Sequence, residues 1–431
     1  MQIMVLGAGG REHAIAWKLL QSPRVQSLTL NPGNPGALEQ LKSQFPEKKI
    51  DAWFLPLKGP ENLSKLAAKA KSANYDFVIV GPDSVLADGA VEIFQNEGIK
   101  IFGPTSAAAK LESSKLFAKQ VMKSAKVPTA EFYEATSAAA AIQLLNDLNW
   151  TKKQWVIKAD GLALGKGVEV CETLAEALRG VERLKQFSNC FVIEERLFGR
   201  ELSWLAFCDG DSCSLFPPAQ DYKTLTEDPL SPNTGGMGSI APVPVGDSAM
   251  SSKIREQVFM PILDEMNRRG TPYKGILYAG LMLGQEDFWV LEFNARFGDP
   301  ETQALLPLMS GDLLEWCEAS VNGTLHLMPK VVPFIDKKAV YVVAACAGYP
   351  DSPRIHDIIP NIEPWLSEHR GFFAGVAYDQ DRRWLTAGGR VLGALGIADN
   401  FSDAREIAFH RIQEIQFDGM QVRRGVGAEW L

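Results

Sequence analysis

Glu292 and Asn294 lie two apart in a segment that opens Phe288-Trp289-Val290-Leu291, apolar enough to form a strand. Side chains two apart on a strand face the same way. A carboxylate and an amide oxygen are therefore presented together, a donor pair suited to a hard cation such as Mg²⁺. Gly298 and Pro300 then break the strand, and Arg296, Asp299 and Glu301 sit around the break. Opposed charges at a strand exit suit a site that holds phosphate, metal and a charged substrate together. Taken alone, the same pattern also describes a solvated turn with surface ion pairs.

Other stretches carry compatible chemistry. Gln2 to Leu6 is an apolar run, followed by Gly7-Ala8-Gly9-Gly10 and a segment of helical spacing. A strand, a glycine turn and a helix start leave backbone N–H groups free for an anion, and Arg11 and His13 add donors. The dinucleotide fingerprint fails, because Glu12 stands where its third glycine belongs and Asn31 where an acid would take a ribose hydroxyl. A phosphate fits the turn better than NAD, and a glycine turn that merely packs helix on strand fits about as well. Two further loops, one holding Asn34 and one holding Asp83, follow apolar runs. At the carboxyl ends of parallel strands such loops converge on one crevice.

Lys158 ends an apolar run and leads into Gly161, Gly165, Lys166 and Gly167. Three glycines and a lysine between two strands make a mobile loop able to fold over phosphates. It is not a P-loop, since a strand rather than a helix follows the lysine. Glu194 and Glu195 end the run Phe191 to Glu195. Backbone groups near Leu197 are placed to meet an adenine edge and Glu201 to meet ribose hydroxyls, although an acidic edge strand has the same pattern. Asp221 and Lys223 open a long polar loop that reaches Asn233, Thr234, Gly235, Gly236 and Met237. That composition reads as a carboxylate or anion cradle, or as a flexible lid. Thr105 starts a predicted helix to about Lys126, whose Lys110, Lys115, Lys119 and Lys123 read mostly as a solvated face.

The elements that must position these residues divide into three parts. Residues 1–103 alternate strands and helices, an open parallel α/β domain. Residues 104–330 read as α+β, and residues 331–431 as a small separate α+β unit. The chain has 431 residues, 46% hydrophobic and 22% charged, with a net charge of −8. An acidic balance without a basic run excludes nucleic acid as the expected partner. No apolar run reaches membrane-spanning length. The six cysteines form no C-x-x-C pair, and the histidines number five. Both facts point to reduced core thiols in a cytoplasmic protein rather than a transition-metal site.

The ordered series Gly7 to Ala14, Val80-Gly81-Pro82, Ile101 to Thr105, Ile157 to Ala163, Gly165 to Val168, Pro232 to Gly238 and Leu291 to Gln303 resembles the glycinamide ribonucleotide synthetase family of the ATP-grasp superfamily. The resemblance spans nearly the whole chain. It implies an ATP-grasp core of two α+β subdomains, the mobile one at about 127–190, between the N- and C-terminal domains. It implies ATP as co-substrate with Mg²⁺ or Mn²⁺, glycine and 5-phosphoribosylamine as substrates, and a monomer or weak homodimer. Lys115 and Lys158 would hold phosphates under the Gly161–Gly167 loop. Glu194 and Leu197 would offer backbone groups to adenine, Glu201 would bind ribose, and Glu292 and Asn294 would hold the metal. Arg296, Asp299 and Glu301 would serve the substrate end. Asp83, Thr224, Ser231 and Gly425 depart from the family pattern, mostly on the substrate side. The alternatives are an ATP-grasp ligase with another acid or amine, and an idle ATP-binding protein.

Overall fold

The computed structural model describes residues 1–431 except 164, 165, 229, 246, 247 and 286. Its first sheet is parallel, in the order Lys49–Ala52, Ser27–Pro32, Gln2–Gly7, Phe77–Val80, Lys100–Phe102. Phe77 to Val80 is buried throughout, as expected of a strand covered on both faces. The loops that carry Gly9, Asn34 and Asp83 leave the carboxyl ends of three adjacent strands.

The predicted single helix from Thr105 is interrupted. One short helix spans Lys110–Ser113 and a second spans Lys115–Ala125. Ser114, with extended backbone, breaks them, and its hydroxyl caps the second helix by accepting from Phe117 N at 3.1 Å. The break also turns Lys115 and Lys119 inward, so Lys119 is 2% exposed rather than solvated.

Phe132–Ala135, Phe191–Glu195, Trp155–Ala159 and Val168–Cys171 form an antiparallel sheet in that order. Phe191–Glu195 is thus an inner strand, not an edge. Helices Ala138–Asp147 and Leu174–Leu184 pack on this sheet around a hydrophobic core of its own, centred on Trp155, Ile157 and Phe191. A second antiparallel sheet runs Cys213–Leu215, Arg200–Asp209, Lys274–Leu283, Phe288–Asn294. The last pair matches Tyr278 with Asn294 and Gly280 with Glu292, then slips so that Leu281 meets Val290. Leu291 is the extra residue of this bulge, and its carbonyl accepts from Lys158 Nζ at 3.1 Å. The side chain of Phe293 is buried in the core, whereas Glu292 and Asn294 are only partly buried.

The third segment does not complete its sheet alone. Gln220–Asp221 and Gly238–Ala241 from the middle of the chain join Lys338–Ala345, Arg390–Ala398 and Gly371–Phe373. The polar stretch read as a flexible lid is therefore pinned at both ends by strand pairing. Within it, Thr234 N donates to Lys223 O at 2.7 Å and Gly235 N to Tyr349 Oη at 2.8 Å. No helix among the described residues is long and apolar enough to cross a membrane.

Candidate active site

A cleft of about 1570 Å³ lies among these sheets. Of the candidate residues named from the sequence and described in the structure, all line it except Glu12, His13, Gly236 and Met237; Gly165 lies outside the described residues.

Each exception has a physical reason. Glu12 folds back under its own turn, where Oε2 accepts from Gly9 N at 2.7 Å and Oε1 pairs with Arg11 Nε at 2.7 Å. A Cβ on Gly81 would lie 1.9 Å from Glu12 Oε1, so the carboxylate needs a glycine beneath it. Glu12 thereby consumes one of the N–H groups that the glycine turn offers an anion. Met237 is fully buried, and Gly236 packs against Pro300 and Asp221 at a φ of +103° that favours glycine. His13 is 1% exposed and donates nothing to the cleft; its Nδ1 accepts from Phe373 N at 2.9 Å.

His13 belongs instead to a buried aromatic seam between the helix Gly10–Leu20 and the strand Gly371–Phe373. His369 stacks on Trp17 at 4.3 Å, and neither of its ring nitrogens has a hydrogen-bond partner among the described residues. Burial pushes His13 down to about 3, helped by His369, and pushes His369 down to about 4, helped by Arg411. A folded-state pKa below the unfolded value of about 6.5 means that the folded form resists protonation. The stability of this seam is then complete above about pH 6.5 and is lost as pH falls toward 4. Urea midpoints should drop between pH 7 and pH 5, and the drop should be shallower in His369→Phe. An identical slope in that variant would remove the seam as its cause.

The cationic side of the cleft is assembled from distant segments. Lys115 Nζ donates to Gly161 O at 2.8 Å, and Asp160 accepts from Ser114 Oγ at 3.0 Å and from Leu116 N at 3.1 Å. The glycine loop is thus tethered at its start to the helix Lys115–Ala125. Lys158 pairs with Glu194 Oε1 at 2.5 Å. Burial lowers the pKa of Lys115, whereas Glu194 and Glu292 outweigh burial at Lys158 and raise it. The carboxylate of Glu194 is thus engaged with lysine, and its backbone lies in the sheet between Phe132 and Val156, so of the two residues expected to offer backbone groups to adenine only Leu197, past the end of the strand, lines the cleft without ladder pairing. Lys223 pairs with Glu201 at 2.9 Å and approaches Glu292 at 3.9 Å. Burial would raise the Glu292 carboxyl, but Lys223, Lys158 and Lys115 overcome it and hold it below the usual range. Its side chain keeps 38% exposure, enough to receive a cation.

At the other end Arg296 pairs with Glu112 at 2.9 Å and donates to Asn294 Oδ1 at 3.4 Å. Asp299 pairs with Arg390 at 2.8 Å and accepts from Gln303 Nε2 at 2.8 Å. Arg390 also donates to Gly235 O at 2.5 Å. Glu301 is 2% exposed; its Oε1 accepts from Tyr278 Oη at 2.5 Å and Ser203 Oγ at 2.8 Å, so it forms the deep wall rather than a free charge. Burial, then the nearby Glu301, raises the Asp221 carboxyl well above the usual range. Asn34 caps the helix that follows it, accepting from Ala37 N at 2.8 Å, and donates to Ala8 O at 2.7 Å. Arg423 Nη1 donates to Thr224 O at 2.9 Å, and Glu227 contacts Gly425 N. The two departures Thr224 and Gly425 therefore lie on one seam.

Glu112, Lys119, Tyr278 and Arg390 also line the cleft and were not singled out from the sequence. Lys119 had a signal, since four residues separate it from Lys115 on one helix face. Arg390 had none, because only the pairing of strands remote in sequence brings it to Asp299.

Two antiparallel sheets, each backed by helices, that meet over a cleft with Lys158 on one and a carboxylate–amide pair on the other define an ATP-grasp protein. The chain matches the model of the phosphoribosylglycinamide synthetase ATP-grasp (A) domain over residues 113–302, the N domain over 1–112 and the C domain over 339–429. It is 40% identical to the phosphoribosylamine–glycine ligase of Caldanaerobacter subterraneus subsp. tengcongensis, covering 99% of this chain and 100% of that protein. Identity to the ligase of that name from Ralstonia nicotianae is 39%, covering 99% of each. The crystal structure of phosphoribosylamine–glycine ligase from Thermotoga maritima superposes with a TM-score of 0.80 at 30% identity, covering 98% of this chain and 99% of that one. The biotin carboxylase domain of Hydrogenobacter thermophilus 2-oxoglutarate carboxylase shares the fold at 12% identity and a TM-score of 0.70, covering 98% of this chain and 91% of that one. The chain belongs to the phosphoribosylglycinamide synthetase family.

Proposed function

We propose that this chain ligates glycine to 5-phosphoribosylamine at the expense of ATP, in purine biosynthesis. The observation that carries the reading is the cleft itself, where Lys115, Lys158 and the tethered glycine loop stand opposite Glu292 and Asn294, with the Arg296–Asp299–Arg390 cluster beyond. Full-length identity of about 40% to proteins of that activity supports the choice of substrates.

The chemistry needs no nucleophile from the protein. A carboxylate oxygen of glycine attacks the γ-phosphorus of ATP, the bond to the β-phosphate oxygen breaks, and ADP leaves. The amine of phosphoribosylamine then attacks the acyl carbon, the bond to phosphate breaks, and phosphate and a proton depart. The first step brings two anions together, so fixed cations must offset the repulsion. Lys115 and Lys158 are assigned to the phosphates and Arg296 to the reacting carboxylate. Leu197 and Glu201 are assigned to the adenosine. Gly9, Gly10, Arg11, Asn34 and Asp83 are assigned to the phosphoribosyl group. Asp221, Lys223 and the Asn233–Gly235 backbone complete the substrate wall. Asp299 holds Arg390 and the loop at Gly235, and Glu301 positions Tyr278. The glycyl phosphate is hydrolysable, so the cleft must exclude water while it forms and reacts.

Glu292 and Asn294 fit a divalent ion such as Mg²⁺ or Mn²⁺. Among the described residues no group of three or more His, Cys, Asp or Glu could hold a metal, and Mg²⁺ is commonly held by one or two protein oxygens with phosphate and water completing its shell. Bound there, the ion neutralises charge on the transferring phosphoryl group. Purified protein should release ADP only when ATP, a divalent ion, glycine and freshly made phosphoribosylamine are all present. Release that ignores either glycine or the amine would refute the assignment.

A further inference from the structure

Lys119 lines the cleft but has no room to serve a ligand. Its ammonium is 2.5 Å from Glu194 Oε2 and donates to Thr129 Oγ1 at 2.6 Å, and Thr129 in turn donates to Val290 O at 2.7 Å. Lys158 occupies the other oxygen of the same carboxylate at 2.5 Å. Glu194 is 2% exposed, so its charge is stable only while a cation stays beside it. With one lysine alone, drawing that lysine away to a phosphate would strand a buried carboxylate. With two, one stays while the other leaves.

We propose that Lys119 is a positioning residue for ATP: it keeps Glu194 compensated, so that the ammonium of Lys158 is free to turn from Glu194 to a phosphate. The inference rests on the assignment of Lys158 to the phosphates. Lys119 is suited to staying behind, because it is anchored through Thr129 to the strand Phe288–Asn294. Lys158 is the member of the pair on the strand that runs straight into the glycine loop. The arrangement couples the two sheets, since Lys119 is tied through Thr129 to the strand Phe288–Asn294 of one and pairs with Glu194 in the other.

The test compares ATP with adenosine, which lacks the phosphates, by competition binding to the full chain. Lys119→Met should weaken ATP at least 10-fold and leave adenosine within 2-fold, and Lys119→Arg should restore most of the ATP affinity. Adding Glu194→Gln to Lys119→Met removes the carboxylate that needs a partner. That double variant should bind ATP within 3-fold of Glu194→Gln alone, and it keeps the test open if Lys119→Met does not fold. Equal weakening of ATP and adenosine would overturn the inference, as would a double variant 10-fold weaker than Glu194→Gln. If Lys158→Met weakens ATP but Lys119→Met does not, this inference fails while the phosphate role of Lys158 stands. If Lys158→Met leaves ATP affinity unchanged, both fail.

Discussion

Glu292→Gln is expected to lower ADP release by about 10²–10³-fold with the chain still folded. The substitution keeps the size of the side chain and removes the one formal negative charge of the Glu292–Asn294 pair. Four cations surround that carboxylate: Lys223, Lys158, Lys115 and Arg296. In the resting cleft it is therefore a counter-charge as well as a metal ligand. Losing it raises cation–cation repulsion, but the side chain is 38% exposed and water screens much of the difference. Thermal unfolding should shift by only a few degrees while turnover collapses. Binding of ATP should weaken more in the presence of divalent ion than in its absence, because only then is the lost ligand in use. Turnover within 3-fold of the parent chain would show that the ion, if bound, is held elsewhere.

Arg296→Met is expected to cost about 3–5 kcal/mol of stability and nearly all activity. Arg296 is the cation paired with Glu112, whose side chain is 7% exposed and which also accepts from Ala295 N at 2.7 Å. Burial raises the Glu112 carboxyl even with Arg296 present, so the carboxylate relies on that pair. Removing the arginine strands it. Replacing both residues, as Arg296→Met with Glu112→Leu, should recover at least half of the lost stability, since paired removal of a buried ion pair is often close to neutral. Activity should not return, because Arg296 lines the cleft and its role at the reacting carboxylate is lost in both variants. Urea midpoints and ADP release measured on the same samples separate the two effects. A double variant as unstable as the single, or one that regains turnover, would break the argument at a different link.

Much of the site was legible where chemistry depends on local spacing. The two-residue period of a strand places Glu292 and Asn294 on one face whatever surrounds them, and the glycine turn at Gly7–Gly10 reports a strand–helix junction by itself. Legibility stopped where one residue's partner is remote in sequence. Glu12 stands in the Gly9–His13 turn expected at the substrate site, but its carboxylate lies over Gly81 from another loop and is turned back onto Gly9 and Arg11. His13 looked like part of the same site and instead joins an aromatic seam with a strand more than 350 residues away. The sequence pattern predicts one helix through Ser114, because helical propensity does not report a cap that competes for the backbone.

By itself the sequence determined the parallel α/β character of the first domain, the shared face of Glu292 and Asn294, and the family. All of these follow from periodicity and short motifs, which are properties of neighbours along the chain. Only the tertiary structure decided which charges pair: Lys119 and Lys158 on Glu194, Arg296 on Glu112, Arg390 on Asp299. It also decided that Gln220–Asp221 and Gly238–Ala241, at the two ends of the stretch read as a cradle or a lid, join the C-terminal sheet. The physical reason is that a charge is stable in a buried place only beside its counter-charge, and folding brings that counter-charge from anywhere in the chain.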